Sequence, residues 1–167
     1  MVWFENFEQK LSEGRDTNCS EEKASAGEIR PPLPQSEKIP QSVRLLIAED
    51  NPVNQKLIKA MLTDAGYQVE LVNNGKEAVE CFCAFSEHFD MIIMDVQMPE
   101  MDGLAATKRI RAEGFDQIPI IALTAHAMEG DRENCLAAGM NDYLTKPIRK
   151  QIVIELIHHW VLKRNGS

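Results

Sequence analysis

From Val43 onwards the sequence predicts a doubly wound α/β domain with a five-stranded parallel sheet. Short apolar stretches rich in β-branched residues alternate five times with longer stretches whose apolar residues recur every three or four positions. The short stretches are apolar almost throughout, as in LLIA (45–48) and MIIM (91–94), which is typical of parallel strands covered on both faces. Strand–helix units of this kind build one sheet with helices on each side.

The first strand is predicted in residues 43–50 and the first helix in residues 52–66, because Pro52 suits a first helical turn and Gly66 a helix end. The other units follow in chain order, each given as strand and then helix: 67–72 and 75–86, 89–95 and 103–114, 118–124 and 127–139, 141–145 and 148–163. Two helices have a clear predicted inward face, formed by Val53, Leu57, Ile58, Met61 and Leu62 in the first and by Ala78, Val79, Phe82 and Phe85 in the second.

Residues 1–42 differ in composition from the predicted domain, which covers residues 43–163 and leaves residues 164–167 as a tail. Ser, Glu, Gly and Pro are frequent in this first segment, and β-branched residues are few. Such a segment buries too little apolar surface to offset the entropy of ordering it, so we predict a flexible linker. Apolar residues near helical spacing also predict a short amphipathic helix, or else the edge of a neighbouring domain, at the start of the chain: Trp3, Phe4, Phe7 and Leu11.

Composition argues against several classes of function. Asp and Glu outnumber Lys and Arg by 26 to 18, and the net charge of −8 argues against direct nucleic-acid binding, which depends on basic surfaces. No apolar stretch approaches the roughly 18 residues of a membrane span, and the first residues lack the basic start and apolar core of a secretory signal. The cysteines (Cys19, Cys81, Cys83 and Cys135) have the spacing of neither a disulfide framework nor a zinc site. The sequence therefore predicts a reduced, cytoplasmic chain and leaves its oligomeric state open.

Polar side chains stand at the carboxyl ends of four predicted strands. In a doubly wound sheet these ends meet at one edge, where such folds bind their ligands. Taken singly, each residue has an ordinary explanation as a helix cap, a turn former or a surface charge. Their joint placement predicts a site, formed by Glu49 and Asp50 after the first strand, Asp95 after the third, Thr124 after the fourth and Lys146 after the fifth.

Three carboxylates so close together repel one another unless a cation lies among them. Ligands that are all oxygen, without His or Cys, suit a hard divalent ion such as Mg²⁺ or Mn²⁺. A carboxylate can also attack phosphorus and form an aspartyl phosphate. The residue types thus predict that Asp95 attacks a phosphoryl group, while the metal ion and Lys146 neutralise its oxygens and Thr124 donates a hydrogen bond.

Four motifs together resemble those of response-regulator receiver domains: LLIAEDNPVNQ (45–55), DMIIMDVQMPEMDG (90–103), PIIALTA (119–125) and NDYLTKPI (141–148). The resemblance covers about residues 43–163 and implies the flavodoxin-like (βα)5 fold of that family. The form AEDNPVNQ, together with ALTAHAMEGDRENCLAAGMNDYLTKPI, is most similar to receivers at the C-terminal ends of hybrid sensor histidine kinases. Each motif alone is weak evidence, but the set is specific.

The resemblance implies a metal site and a phosphoacceptor. Asp95 would accept a phosphoryl group from a phosphohistidine. Mg²⁺ (or Mn²⁺) would be held by Asp50, by Asp95 and by the main-chain carbonyl of Gln97, with Glu49 acting beside it. The implied phosphodonor is a histidine kinase or a histidine phosphotransfer domain. For a relay we predict that the donor docks around the first helix, beside NPVNQKLIKAM (51–61).

The resemblance also implies residues that respond to the phosphoryl group. Lys146 would contact a phosphoryl oxygen from a cis Lys146–Pro147 peptide, and Thr124 would move in to donate a hydrogen bond. Tyr143 would then swing inward and change the surface of the fourth helix, fifth strand and fifth helix; without that change the domain would serve as a relay. Hydrolysis of the aspartyl phosphate would be tuned by Gln97 and His126.

Other readings remain open at this point. The chain is either a free-standing receiver or a piece of a longer hybrid kinase, and the linker-like composition of residues 1–42 favours the second. Whether such a parent kinase is membrane-anchored is left open by the sequence. A receiver alone is not a turnover enzyme, whereas such a parent chain would be a histidine kinase. An aspartyl-phosphate hydrolase similar to haloacid dehalogenases would need an Asp where this chain has Gln97, which cannot transfer the proton. A receiver-like domain that works without phosphorylation would be expected to lack Asp95, Lys146 or one of the acidic pair.

Overall fold

The computed structural model describes residues 43–125 and 129–165. In this part of the chain five strands alternate with five α-helices, which confirms the predicted fold class. A short 3₁₀ helix, Ser86–His88, precedes the third strand. The elements in chain order are β1 Arg44–Ala48, α1 Pro52–Asp64, β2 Gln68–Val72, α2 Gly75–Ala84, β3 Met91–Asp95, α3 Gly103–Ala112, β4 Ile120–Thr124, α4 Glu129–Ala137, β5 Asp142–Thr145 and α5 Lys150–Asn165.

The five strands form one parallel sheet in the order β2-β1-β3-β4-β5. From β1 the chain first builds outward to β2 and then crosses back to β3 on the other side of β1. The strand order therefore reverses between β1 and β3, where ligands bind in doubly wound sheets. In the register of the sheet, Ala48 at the end of β1 lies beside Met94, and Asp95 at the end of β3 lies beside Leu123.

The sheet separates two apolar cores. One core, here called the α1/α5 core, includes Met91 and Ile93 of β3 together with residues of those two helices. The other, the α2/α3/α4 core, includes Ile92 and Met94 of the same strand. Because successive residues of a strand face opposite sides, β3 is buried on both faces, as its continuous apolar sequence predicts.

Part of the predicted inward faces is exposed. In α1 only Ile58 and Leu62 are buried, whereas Val53 is 71% and Leu57 50% exposed. Ile58 and Leu62, four positions apart, form the contact of this helix with the sheet. Val53 and Leu57 lie beside that contact and remain accessible to solvent. Phe85, predicted to face inward, is also exposed, because α2 ends before it and its ring packs against His88.

No helix among the described residues has both the length and the apolar character needed to cross a membrane.

Candidate active site

Three carboxylates meet at the carboxyl edge of the sheet, beside the point where the strand order reverses. Asp95 is the last residue of β3 and is only 4% exposed. Glu49 follows β1 and is completely buried, and Asp50 next to it is exposed. One carboxylate oxygen from each of the three lies within 4.8 Å of the others. The structure thus brings together residues 46 positions apart in the chain, because β1 and β3 are neighbours in the sheet.

Lys146 provides the positive charge of this cluster. Its Nζ lies 2.8 Å from Glu49 Oε2 and donates a hydrogen bond to Asp95 Oδ2. The main chain fixes the lysine in place: its N–H donates to the Thr124 carbonyl at 2.8 Å, and the Lys146–Pro147 peptide is cis. One ammonium for three carboxylates leaves the site with a formal charge of −2, which matches a divalent cation.

Glu49 is held in place through its main chain and its Oε1 atom, while its Oε2 atom forms the ion pair with Lys146. Its Oε1 accepts hydrogen bonds from the Asn51 N–H at 3.1 Å and from Asn54 Nδ2 at 3.0 Å, and its own N–H donates to the Val72 carbonyl. Burial raises the pKa of Glu49, but the hydrogen bonds from Lys146, Asn54 and Asn51 outweigh it and hold the pKa below its ordinary value. Glu49 is therefore a fixed, ionised group, which favours an accessory role beside the cation.

At Asp95 the effect of burial on the pKa outweighs that of the hydrogen bonds. Burial raises the pKa of Asp95, and the hydrogen bonds from Lys146 and from the Gln97 N–H, at 3.0 Å to Oδ1, offset this only in part. Burial lowers the pKa of Lys146, but its contacts with Asp95 and Glu49 outweigh that effect and raise it. The lysine therefore stays charged, and a cation bound beside Asp95 would oppose the effect of burial and lower the pKa of that carboxyl.

Asp50 does not cap helix α1. Asn51 has this role, since its Oδ1 accepts hydrogen bonds from the Val53 N–H at 2.9 Å and from the Asn54 N–H at 3.4 Å. The ordinary explanation of Asp50 as a helix cap is thereby removed. An exposed carboxylate at the mouth of the cluster suits a metal ligand.

The loop between β3 and α3 passes close to the site because two glycines make room for it. A Cβ on Gly103 would lie 2.1 Å from the Asp95 carbonyl oxygen, and a Cβ on Gly75 would lie 2.5 Å from the Met101 carbonyl oxygen. The same glycines donate hydrogen bonds from their N–H groups, Gly103 to Val96 and Gly75 to Met101, both at 3.0 Å. These contacts hold the loop at both ends, and with it the main chain of Gln97.

Three of the remaining predicted residues are described in the structure, and one is not. Thr124 ends β4 and is buried, and Gln97 is exposed. Tyr143 in β5 is half-buried and packs against the α2/α3/α4 core. His126 lies outside the described residues.

The donor set fits a hard divalent cation. Two carboxylates, Asp50 and Asp95, and a nearby main-chain carbonyl offer oxygen ligands, while Glu49 and Lys146 are already bound to each other. Mg²⁺ commonly binds one or two carboxylates and keeps its other positions for water and phosphate oxygens.

A sequence model described as the response regulator receiver domain matches residues 45–158. Hybrid signal transduction histidine kinase I of Dictyostelium discoideum is 44% identical over 134 residues, which is 77% of this chain and 8% of that protein. The histidine-protein kinase BarA of Escherichia coli K12 is 43% identical over 132 residues, 78% of this chain and 14% of that protein. The chain thus spans only a small part of the length of these relatives.

Solved structures agree with the sequence comparison. The receiver domain of the sensor histidine kinase PA1611 from Pseudomonas aeruginosa, with a magnesium ion coordinated in its active site cleft, is 48% identical. Its TM-score is 0.66, and the match covers 75% of this chain and 99% of that one. The receiver domain of Saccharomyces cerevisiae Ssk1, crystallised with the histidine phosphotransfer protein Ypd1, is 31% identical with a TM-score of 0.69. That match covers 75% of this chain and 92% of the other.

Proposed function

Because this chain belongs to the response regulator receiver family, we propose that it accepts a phosphoryl group on Asp95 from a phosphohistidine. It is a receiver of phosphorelay signalling, as its motifs predicted, and Mg²⁺ is its cofactor. The observation that supports Asp95 as the acceptor is its place in the site. Its buried carboxylate ends β3 between the Lys146 ammonium and the acidic pair.

The transfer is a displacement at phosphorus. A carboxylate oxygen of Asp95 forms a bond to phosphorus, the bond between phosphorus and the donor imidazole nitrogen breaks, and its electron pair returns to the imidazole. Asp50, Asp95 and the Gln97 carbonyl would hold Mg²⁺, which neutralises phosphoryl oxygens when bound. The Lys146 Nζ already contacts an Asp95 oxygen, so a small movement brings it onto a phosphoryl oxygen.

The test uses a donor that needs no partner protein. The chain is incubated with acetyl phosphate and Mg²⁺, and the labelled residue is located by mass spectrometry. We expect one phosphoryl group, on Asp95, and none in Asp95→Asn, while the matched control Asp116→Asn, an exposed site in the α3–β4 loop, labels normally. Label that persists in Asp95→Asn would falsify the assignment. Turnover of a small phosphate ester many times per protein molecule would favour the hydrolase instead.

We further propose that the donor is a histidine phosphotransfer protein that docks on α1. Val53 and Leu57 expose apolar surface on this helix, directly after the acidic pair. Such surface on an otherwise polar helix is typical of a protein contact. Leu57→Asp should slow transfer from a phosphorylated phosphotransfer protein about tenfold and leave acetyl phosphate labelling unchanged. Leu136→Asp, in α4, is the control, since this leucine is 42% exposed, against 50% for Leu57.

Thr124 and Tyr143 are proposed to respond to phosphorylation. The two residues lie on neighbouring strands, and Ala122, two residues before Thr124, lies beside Tyr143. A threonine drawn to the phosphoryl group would leave space that the tyrosine ring fills, so that two existing arrangements change in population. Amide shift mapping with a beryllium fluoride adduct should show changes reaching β5; changes confined to the neighbours of Asp95 would favour a relay without a switch.

For the whole protein we propose a hybrid sensor histidine kinase, of which this domain is the receiver. The support is that curated relatives more than 40% identical, in a slime mould and a bacterium, are kinases many times longer than the matched region. An antibody against residues 43–163 should therefore detect a much longer native polypeptide. A native product of about this chain's length would favour the free-standing receiver.

A further inference from the structure

The side chain of Gln55 joins helix α1 to the acidic pair. Its Nε2 lies 2.6 Å from the main-chain oxygen of Glu49 and 3.0 Å from Oδ1 of Asn73. Both neighbours are acceptors here, because the N–H and Nδ2 of Asn73 each donate to Glu77 Oε2 at 2.9 Å. The amide of Gln55 must therefore present its NH₂ group, and its orientation is determined by its surroundings.

The carbonyl that Gln55 binds is the point where the chain leaves the sheet. Strand β1 ends at Ala48. The N–H of Glu49 still donates to the Val72 carbonyl of β2, but Asp50, which follows Glu49, is exposed. The peptide between Glu49 and Asp50 thus lies beyond the last strand pairing. Rotation of this peptide plane would move the Asp50 carboxylate relative to Asp95, and the hydrogen bond from Gln55 opposes that rotation.

The same side chain extends the restraint to a second loop. Asn73 lies between β2 and α2, and Glu77, which holds it, is in the first turn of α2. That turn also contains Gly75, whose N–H holds the Met101 carbonyl of the β3–α3 loop. Gln55 therefore provides a side-chain link between the loop that carries the acidic pair and a set of contacts that reaches the loop following Asp95.

We propose that Gln55 is a positioning residue of the phosphorylation site, which fixes the Glu49–Asp50 peptide so that Asp50 keeps its place beside Asp95 when the cation binds. The proposal rests on the proposed function of Asp95 and Asp50. It assigns to Gln55 no contact with the cation or the phosphoryl group. Gln55 acts on the position of a metal ligand, Asp50. Residues that hold metal ligands in place commonly change metal affinity by about ten- to a hundredfold when they are substituted.

Three substitutions at this position separate positioning from simple electrostatics. Gln55→Met has nearly the same shape but no donor; Gln55→Lys restores a donor and adds positive charge; Gln55→Glu offers only acceptors and adds negative charge. If charge alone mattered, Gln55→Glu would bind Mg²⁺ best and Gln55→Lys worst. If donation to Glu49 and Asn73 matters, Gln55→Met binds about tenfold more weakly than wild type. Gln55→Lys then binds more tightly than Gln55→Met, and Gln55→Glu binds no better than Gln55→Met.

The measurement is calorimetric titration of Mg²⁺ into the full 167-residue chain. Gln151→Met, at an exposed position of α5, is the matched control and should bind like wild type. Acetyl phosphate labelling at limiting Mg²⁺ should follow the same order and should recover at saturating Mg²⁺. The loss at limiting Mg²⁺ distinguishes positioning from a partner contact, because a role confined to the partner would leave both Mg²⁺ affinity and small-donor labelling unchanged. Recovery at saturating Mg²⁺ shows that the labelling reaction itself is intact in the variant.

Wild-type affinity in Gln55→Met, or weaker binding by Gln55→Lys than by Gln55→Met, would overturn the proposal. The proposed function fails in a different way, through absence of label from the wild-type chain or persistence of label in Asp95→Asn. The two failures are therefore separable in one series of proteins.

Discussion

Lys146 interacts with two buried carboxylates at once, and its removal is expected to destabilise the fold. Lys146→Met leaves Glu49 and Asp95 without their shared ammonium, which should cost about 2 to 4 kcal/mol in the free energy of unfolding. Urea denaturation in the absence of Mg²⁺ measures this loss. Because the pKa of Glu49 is lowered in the fold, the wild type loses this stability as pH falls below the carboxyl's usual value of 4.5.

The difference between wild type and Lys146→Met should therefore shrink on acidification. Added Mg²⁺ should also reduce it, because the cation supplies the positive charge that the variant lacks. A difference independent of both pH and Mg²⁺ would mean that the lysine contributes only through packing of its aliphatic chain.

Tyr67 is a buried residue that the proposed function does not use. Its hydroxyl has no hydrogen-bond partner among the described residues, and burial raises its pKa above 10.0. Tyr67→Phe should therefore increase the free energy of unfolding by about 1 kcal/mol, since it removes an unsatisfied buried group.

The pH dependence gives a second readout at Tyr67. A raised pKa means that the native state binds the phenolic proton more tightly, so the wild type loses stability as pH rises through the native pKa, above 10. The phenylalanine variant should show less of this alkaline loss. A variant less stable than wild type at neutral pH would show that the hydroxyl has a partner, such as a buried water.

At the scale of elements, the packing of α3 against β3 depends on Gly103. Gly103→Ala should reduce the free energy of unfolding by at least about 2 kcal/mol, because its Cβ would overlap the Asp95 carbonyl, and should slow acetyl phosphate labelling. Gly130→Ala in α4 is the matched control, since nothing lies within 4 Å of the added carbon, and it should be neutral or slightly stabilising. Equal effects at both positions would show that the close approach is readily relieved.

The sequence predicted the elements well where a local pattern decides them. The strands predicted from continuous apolar stretches and the helices predicted from periodic apolar residues are present in the structure, with bounds shifted by a few residues. The inward faces were predicted less well, because periodicity alone does not say how wide the contact with the sheet is. Phe85 and Leu57 were placed inside for this reason and are exposed.

The site was predictable as far as topology decides it. Parallel strands bring their carboxyl ends together, so Asp95, Lys146 and the acidic pair are neighbours whatever the details of packing. The residues that hold them were missed, because hydrogen bonds between separate elements leave no periodic signal. Gln55 is one case. Away from the site, the contacts of Arg111 were missed for the same reason: its guanidinium donates to the main-chain carbonyls of Gly139, Phe115 and Ile118 at the opposite edge of the sheet.

At the scale of the whole molecule, Mg²⁺ binding and folding are expected to be linked. A cation that binds only the native site stabilises it by about 2.7 kcal/mol at about a hundredfold excess over its Kd. Increasing Mg²⁺ should therefore raise the Tm of the wild type, measured by thermal denaturation, and should raise the Tm of Asp50→Asn much less. The same substitution should stabilise the metal-free protein slightly, since it relieves repulsion within the cluster. An equal rise in both proteins would place the bound ion elsewhere.

The division of β3 between two cores limits which length changes this domain tolerates. Met91 and Ile93 belong to one side of the sheet, and Ile92 and Met94 to the other. A single-residue insertion or deletion within the strand would exchange these sides and turn Asp95 away from Lys146. A length change in the α3–β4 loop, residues 113–119, lies at the opposite edge of the sheet and leaves that alternation intact. Insertions and deletions, in evolution or by engineering, should therefore be rejected most strongly within β3, because in that loop they would disturb only local contacts, such as those of Arg111 with Phe115 and Ile118.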